Sequence, residues 1–353
     1  MISHTFLRCH AIAASIIPAA FALAACSSNG TAAPGASVLP QQAAPAATHA
    51  KSLSQCPCVY AVDGAIFSGS GAVTVYPVAA SKNTAPIETI TGSNTGLGEP
   101  NGVALDSSNN IWVSNTHNSY SIFEYAAGAN GNVAPIATIS GSNTDLVDPS
   151  LIALDSKNNI YVSNYSGDTV AVFAAGSNGN VSPIQLISGS NTGLNTPAGI
   201  AVDASDNIYV SNYNGESITE YAAGSTGNVS PIATISGSAT DLGHPVGISL
   251  DADDNIYVAN SGYPSGTPSI EIFAAGSNGN VAPTATIAGT KTKFQGAVPY
   301  DVALDASGNL HVPEENKDTI ATFAAGAHGN VKPSSTLKGK KTDLNSPVSL
   351  FIR

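Results

Sequence analysis

The chain has 353 residues, a formal net charge of −12 and charged side chains at only 10% of positions. Of its 12 Lys and Arg residues, eight lie at or beyond Lys291, and between Asn83 and Thr290 only Lys157 is basic. This distribution excludes the basic stripe that a nucleic-acid ligand needs, so no nucleic acid is expected as a partner.

Residues 1–25 read as an export signal, with Arg8 near the start and then the apolar run AIAASIIPAAFALAA. The run is shorter than the ~20 apolar residues of a spanning helix. It ends in Leu23-Ala24-Ala25-Cys26, a tetrapeptide that resembles the lipobox of bacterial lipoproteins. The resemblance implies that Cys26 is acylated and becomes the mature N-terminus. Ser27 in the next position is compatible with sorting to the outer membrane of a two-membrane cell. The lipid is the only membrane attachment expected, and several acyl chains on one Cys suffice for stable anchoring.

Residues 26–54 are rich in Ala, Pro, Ser, Thr and Gln and nearly uncharged. Such a segment cannot bury a core and is expected to be a disordered tether. Cys56-Pro57-Cys58 follows. A bond between Cys residues two apart is strained, and two thiolates with no nearby His make a poor metal site. An exported chain favours a disulfide here, strained or intermolecular, over free thiols.

Residues 55–353 form one repetitive domain. NGVALDSSNNIWVSN begins at Asn101, SLIALDSKNNIYVSN at Ser150, AGIAVDASDNIYVSN at Ala198, VGISLDADDNIYVAN at Val246 and YDVALDASGNLHVPE at Tyr300. The period is 48 or 49 residues, apart from an insertion around 262–267. Each copy holds four short apolar runs of strand length, and nowhere is there a helical period. Asn-Gly or a relative separates the last two runs (Asn130-Gly131, Asn178-Gly179, Thr226-Gly227, Asn278-Gly279, His328-Gly329). It is expected to make a tight hairpin with both central residues at positive φ.

The expected fold is therefore all-β: a six-bladed propeller of four-stranded antiparallel blades. The first unit lacks its leading strand, and 348–352 at the C-terminus matches it, so the last strand should complete the first blade and close the ring. One aromatic per third strand (Tyr76, Tyr125, Phe173, Tyr221, Phe273, Phe323) is expected to pack between blades.

The pattern P-x-G-[IV]-[AS]-[LV]-D-x-x-x-N-[IL]-[YW]-V-[SA]-N, then [ST]-[IV]-x-x-[FY], resembles the NHL-repeat family from residue 59 to the end. The resemblance implies a six-bladed propeller but not one activity, since such propellers bind proteins or RNA and also serve as hydrolases and lyases. Gluconolactonase-like propellers share the blade pattern and hold a divalent ion in the central channel. Their motif matches here at Pro100-Asn101-Gly102, with Asp301 where a Gly would stand. On that resemblance the weak metal candidates are Asn101, Asp301 and Glu314, and a divalent cation is the one cofactor implied.

A polar residue closes each second strand: Asp63, Asn115, Asn164, Asn212, Asn260 and Glu314. Its regular recurrence suggests an Asx-turn at a strand end. A binding patch at the channel mouth is expected where the repeat breaks, at Asn101, His117, Tyr165, Tyr213, Tyr300, Asp301, His311, Glu314 and Glu315. The last copy departs most, with LHVPEENKDT in place of IYVSNYNGES. The Asp-rich turns such as 251–255 lack the spaced ligands of a calcium loop and are expected to be Asx-turns. No nucleophile elbow, repeated His pair, phosphate loop or Cys–His pair is present. The expectation is a tethered envelope scaffold that binds a protein or a carbohydrate. The alternative is a metal-dependent hydrolase or lyase in the channel.

Overall fold

The structure, a computed structural model, describes residues 57–64, 71–116, 120–262 and 266–353. Cys26, Cys56 and His117, with the signal and tether, lie outside the described residues. Six four-stranded antiparallel sheets follow one another along the chain. Blade 2 is typical, with strands Pro100–Leu105, Ile111–Asn115, Ser121–Tyr125 and Ala137–Ser140. Blades 3, 4 and 5 begin with Pro149–Leu154, Pro197–Val202 and Pro245–Leu250. Blade 6 comprises Ala303–Leu304, Leu310–Glu314, Thr319–Phe323 and Ser335–Lys338. Blade 1 is composite: the C-terminal strand Pro347–Ile352 pairs with Cys58–Asp63, and Ala72–Pro77 and Glu88–Ile90 complete it. The first strands of neighbouring blades touch all the way round, so they line the axis. Closure by the last strand leaves no inner edge open.

The third-strand aromatics are the largest fully buried side chains, and each belongs to an apolar cluster that joins two blades. Where the residue is Tyr, its hydroxyl is also satisfied. Tyr125 donates to Thr95 O at 2.5 Å and Tyr221 to Thr192 O at 2.6 Å, and Tyr76 donates to Thr342 O. These carbonyls lie in the connection that enters the same blade. A ring and its hydroxyl thus lock each blade onto its incoming chain.

The Asp-x-x-x-Asn turns between first and second strands are closed Asx-turns, as their composition suggested. In blade 4 Asp203 Oδ1 accepts from Ser205 N and Asn207 N, and Oδ2 accepts from Asn207 Nδ2, all at 2.8 Å. The same set recurs at Asp106, Asp251 and Asp305. These carboxylates are consumed by their own turns. The turns mark the lower end of the ring, and the ends of the second strands mark the upper.

The Asn-Gly segments differ from expectation. Gly131, Gly179, Gly227, Gly279 and Gly329 take positive φ, but the residue before each does not. The connection is long rather than a two-residue hairpin, and its Asn-Gly reaches the outer strand of the preceding blade. Gly131 N donates to Thr89 O at 2.7 Å, Thr91 N to Gly131 O at 3.2 Å, and Asn130 Oδ1 accepts from Thr89 N at 3.0 Å. Asn132 adds a bond from Asn94 N at 2.7 Å. The blade face already satisfies its own hairpin, so the turn's polar groups are spent on the neighbouring sheet edge. The latch recurs around the ring and closes it, with Lys338 N donating to Lys82 O at 2.7 Å.

Candidate functional site

Five of the six polar residues that end the second strands, all but Glu314, are structural, by a route different from a local Asx-turn. Asn115 Oδ1 accepts from Gly98 N at 2.9 Å, Asn212 from Asn195 N at 3.1 Å and Asn260 from Gly243 N at 2.6 Å. Each partner lies 17 residues back, in the connection that enters the same blade. Asp63 does the same in blade 1, accepting from Asn345 N at 3.0 Å. Burial holds its carboxyl up at about 8, against the hydrogen bonds that pull it down.

One residue earlier, a Ser knits blades together at the axis. Ser114, Ser163 and Ser211 donate to Ser150 O, Ala198 O and Val246 O of the next first strand. In blades 5 and 6 this position holds Ala259 and Pro313. Between blades 6 and 1 Asp301 takes over the seam. Its Oδ2 accepts from Ser349 Oγ at 3.0 Å and Leu350 N at 3.1 Å, and its Oδ1 from Val302 N at 2.8 Å. Burial raises its carboxyl to about 7 against those three bonds. A Cβ at Gly247 would lie 2.3 Å from Asp301 Oδ1, so Gly247 is what admits Asp301.

The metal candidates therefore serve three separate settings. Asn101, half-buried, donates from Nδ2 to Pro149 O at 3.1 Å. Asp301 spends both oxygens on blade 1 and its own backbone. Glu314 faces Lys293, Lys317 and Lys338, whose positive charges repel a divalent ion. Among the described residues no group of three or more His, Cys, Asp or Glu is placed to hold a metal.

The other candidates separate as well. His311 lies at the lower end, away from the mouth. It is buried, with Nε2 at 3.3 Å from Asp305 Oδ2 and Nδ1 at 3.3 Å from Thr322 Oγ1. It replaces the Tyr whose hydroxyl meets the turn carboxylate in blades 3 and 5. Burial lowers its pKa, and Asp305 opposes that. Glu315 is buried in a 3-10 turn, Glu315–Lys317, and burial raises its carboxyl to about 7. Tyr300 is half-buried against the apolar cluster that includes Val103 and Val348.

Tyr165 and Tyr213 do come together, 5.9 Å apart between ring centroids. His244 continues the row, 4.7 Å from Tyr213 and edge-on to it. Its Nδ1 lies 3.7 Å from Glu216 Oε1. Backbone bonds fix the row: Tyr165 N donates to Asp148 O at 3.0 Å and Tyr213 N to Thr196 O at 2.9 Å. Three half-buried rings from three consecutive blades thus form one surface at the upper end. His244 escaped the sequence reading. Its signal is a ring at the place where other copies carry Asp148, Thr196 and Ser346, a place that takes a positive φ in all four.

A second feature lies in the last copy. A cavity of about 420 Å³ opens between the connection 290–295 and the outer strands of blade 6. Lys293, Lys317, Lys338 and Glu314 line it with Thr319, Ala321 and Thr336. Glu314 is only 3% exposed. Burial pushes its carboxyl up to about 7 against the pull of the three lysines.

No protein-family model and no curated protein matches the chain. Solved structures resemble it in fold. A periplasmic gluconolactonase of Pseudomonas aeruginosa matches with a TM-score of 0.54 at 14% identity, over 84% of this chain and 85% of that one. A protein of unknown function from Desulfotomaculum acetoxidans matches with a TM-score of 0.55 at 15% identity, over 84% and 85%. The WD40 propeller domain of Doa1 matches with a TM-score of 0.51 at 13% identity, over 79% and 81%. At such identities the likeness is one of propeller fold.

Proposed function

We propose that this chain is an exported lipoprotein, acylated at Cys26, whose propeller is held on a tether and binds an envelope carbohydrate or protein at its upper face. The observation that carries this reading is the row of Tyr165, Tyr213 and His244. Aromatic faces in a fixed row are rigid anchors that cost little entropy on binding, and sugar rings or apolar side chains stack on them. Carboxylates flank the row, with Glu216 3.7 Å from His244 and Asp148 Oδ2 accepting from Ser166 Oγ at 2.7 Å, so recognition there combines stacking with hydrogen bonds to these acceptors. The full chain, screened against carbohydrate and envelope-protein arrays, should give a reproducible binder. Tyr213→Ala should weaken that binder by about tenfold or more. A blank array, or a binder indifferent to Tyr213→Ala, would count against the reading.

The alternative, a metal-dependent hydrolase or lyase in the channel, draws on the shared fold with a gluconolactonase. It requires a stoichiometric divalent ion. Metal analysis, with melting before and after EDTA, separates it from the scaffold.

A further inference from the structure

We propose that the cavity of blade 6 is a binding site for a small hydroxylated carboxylic acid, distinct from the aromatic row. Blade 5 shows what the cavity lacks. There Glu271 projects from the third strand and is 1% exposed. Its carboxylate accepts from Ser269 Oγ at 2.6 Å and Thr286 Oγ1 at 2.5 Å. In blade 6 the matching residues are Thr319, Thr336 and, in place of the Glu, Ala321. The truncation at Ala321 opens a space lined by the same two hydroxyl-bearing positions. A ligand carboxylate fits where the carboxylate of Glu271 sits in blade 5.

The charges around the space agree with that occupant. Lys293 stands where the connections into blades 4 and 5 carry Gly193 and Asp241, Lys317 where blade 4 carries Gly215, and Lys338 where blade 5 carries Ala288. Among the described residues none of the three makes a salt bridge. Lys317 is braced over the opening by bonds from Nζ to Lys293 O and, at 2.9 Å, to Gln295 O. The cavity is thus cationic in a chain that is otherwise acidic. The hydroxyl requirement comes from Glu314. Its Oε1 is buried and has no hydrogen-bond partner among the described residues. A buried acceptor left unpaired is costly, and a turn of the Glu314 side chain toward the cavity would let a ligand hydroxyl satisfy it. The volume of about 420 Å³ admits a molecule of monosaccharide size.

Calorimetric titration of the full chain tests this with three probes: gluconate, with charge and hydroxyls; hexanoate, with charge alone; and glucitol, with hydroxyls alone. Gluconate should bind saturably at one site, and the other two about tenfold more weakly or worse. Ala321→Glu is the decisive variant, because it places blade 5's own carboxylate in the cavity as a built-in competitor. It should fold, as the same side chain does one blade earlier, and lose gluconate binding by about tenfold or more. Lys293→Met with Lys338→Met should do the same, while Lys157→Met, on blade 3, leaves binding unchanged. Absent gluconate binding, or binding that a folded Ala321→Glu retains, overturns the proposal. Neither result bears on the aromatic row, whose test uses different ligands and a different variant.

Discussion

Blades 4 and 6 share one strand plan and spend their polar residues differently. In blade 4 Asn212 ties down the incoming connection, Ser211 bonds the next first strand, Thr219 accepts from Asn212, and Tyr221 caps Thr192. Among the described residues no buried side-chain polar atom of blade 4 is left without a partner. In blade 6 the same positions hold Glu314, Pro313, Ala321 and Phe323. The blade-to-blade hydroxyl and the aromatic hydroxyl are gone, a cavity has opened, and beside it Glu314 Oε1 is buried with no hydrogen-bond partner among the described residues. Blade 4 keeps its polar groups for the ring and offers a ligand only the Tyr213 ring at its upper end. Blade 6 offers a cavity, charge and an unpaired acceptor.

That contrast can be broken most forcefully in the regular blade. Tyr221→Ala removes a fully buried ring and orphans Thr192 O, and should cost about 3–5 kcal/mol in denaturant unfolding. Phe323→Ala in blade 6 should fall at the lower end of that range, because it breaks no hydrogen bond. A smaller effect is expected at Asp63, the carboxylate variant of the strand-end Asn. Its pKa, about 8 when folded, lies above the ordinary carboxylate value of 3.8. The folded state therefore holds the proton more tightly, and the stability it contributes below pH 4 is lost as pH rises through 8. Asp63→Asn should remove this decline and leave the variant more stable at pH 9 by on the order of 2 kcal/mol, read from melts across pH.

Ser211→Ala should cost about 1–2 kcal/mol, since Val246 O and Gly199 N both lose a buried partner. Blade 5 already carries Ala at this position and serves as the internal comparison. Glu314→Leu should act in the opposite sense, raising stability by about 1 kcal/mol because it deletes an unpaired buried acceptor. A loss of stability there would mean that Glu314 is bonded in solution. The smallest effect belongs to Lys157, whose Nζ meets Asp206 at 2.6 Å on an exposed side chain. Lys157→Met should leave the midpoint of denaturant unfolding nearly unchanged, and high salt should erase what difference remains.

Much of the molecule was legible in the chain. The recurring IYV core, the alternation within 5-residue strands and the leftover strand at 348–352 were enough for blade number and ring closure. Strand formation and turn chemistry are local, and a repeat states them several times over. The Asp-x-x-x-Asn turns were legible for the same reason, their bonds spanning two to four residues. The departure of the last copy, at Glu314 and its neighbours, is legible too. Pairing at a distance is not. Asn-Gly, which spells a tight hairpin locally, latches a strand about 40 residues back. Asn212, which spells a local turn, bonds Asn195. Asn101, Asp301 and Glu314, the weak candidates for an ion under the alternative, stand in three different settings.

The sequence by itself determined a closed ring of six four-stranded blades, because hydrophobic alternation, turn residues and period are properties of adjacent positions. Only the tertiary structure decided that Tyr165, Tyr213 and His244 form one surface, and that Ala321 and three lysines leave a cavity beside Glu314. Those residues come from different blades or from strands that pair across a sheet. What each can do depends on which neighbour has already taken its hydrogen bonds, and spacing along the chain does not record that.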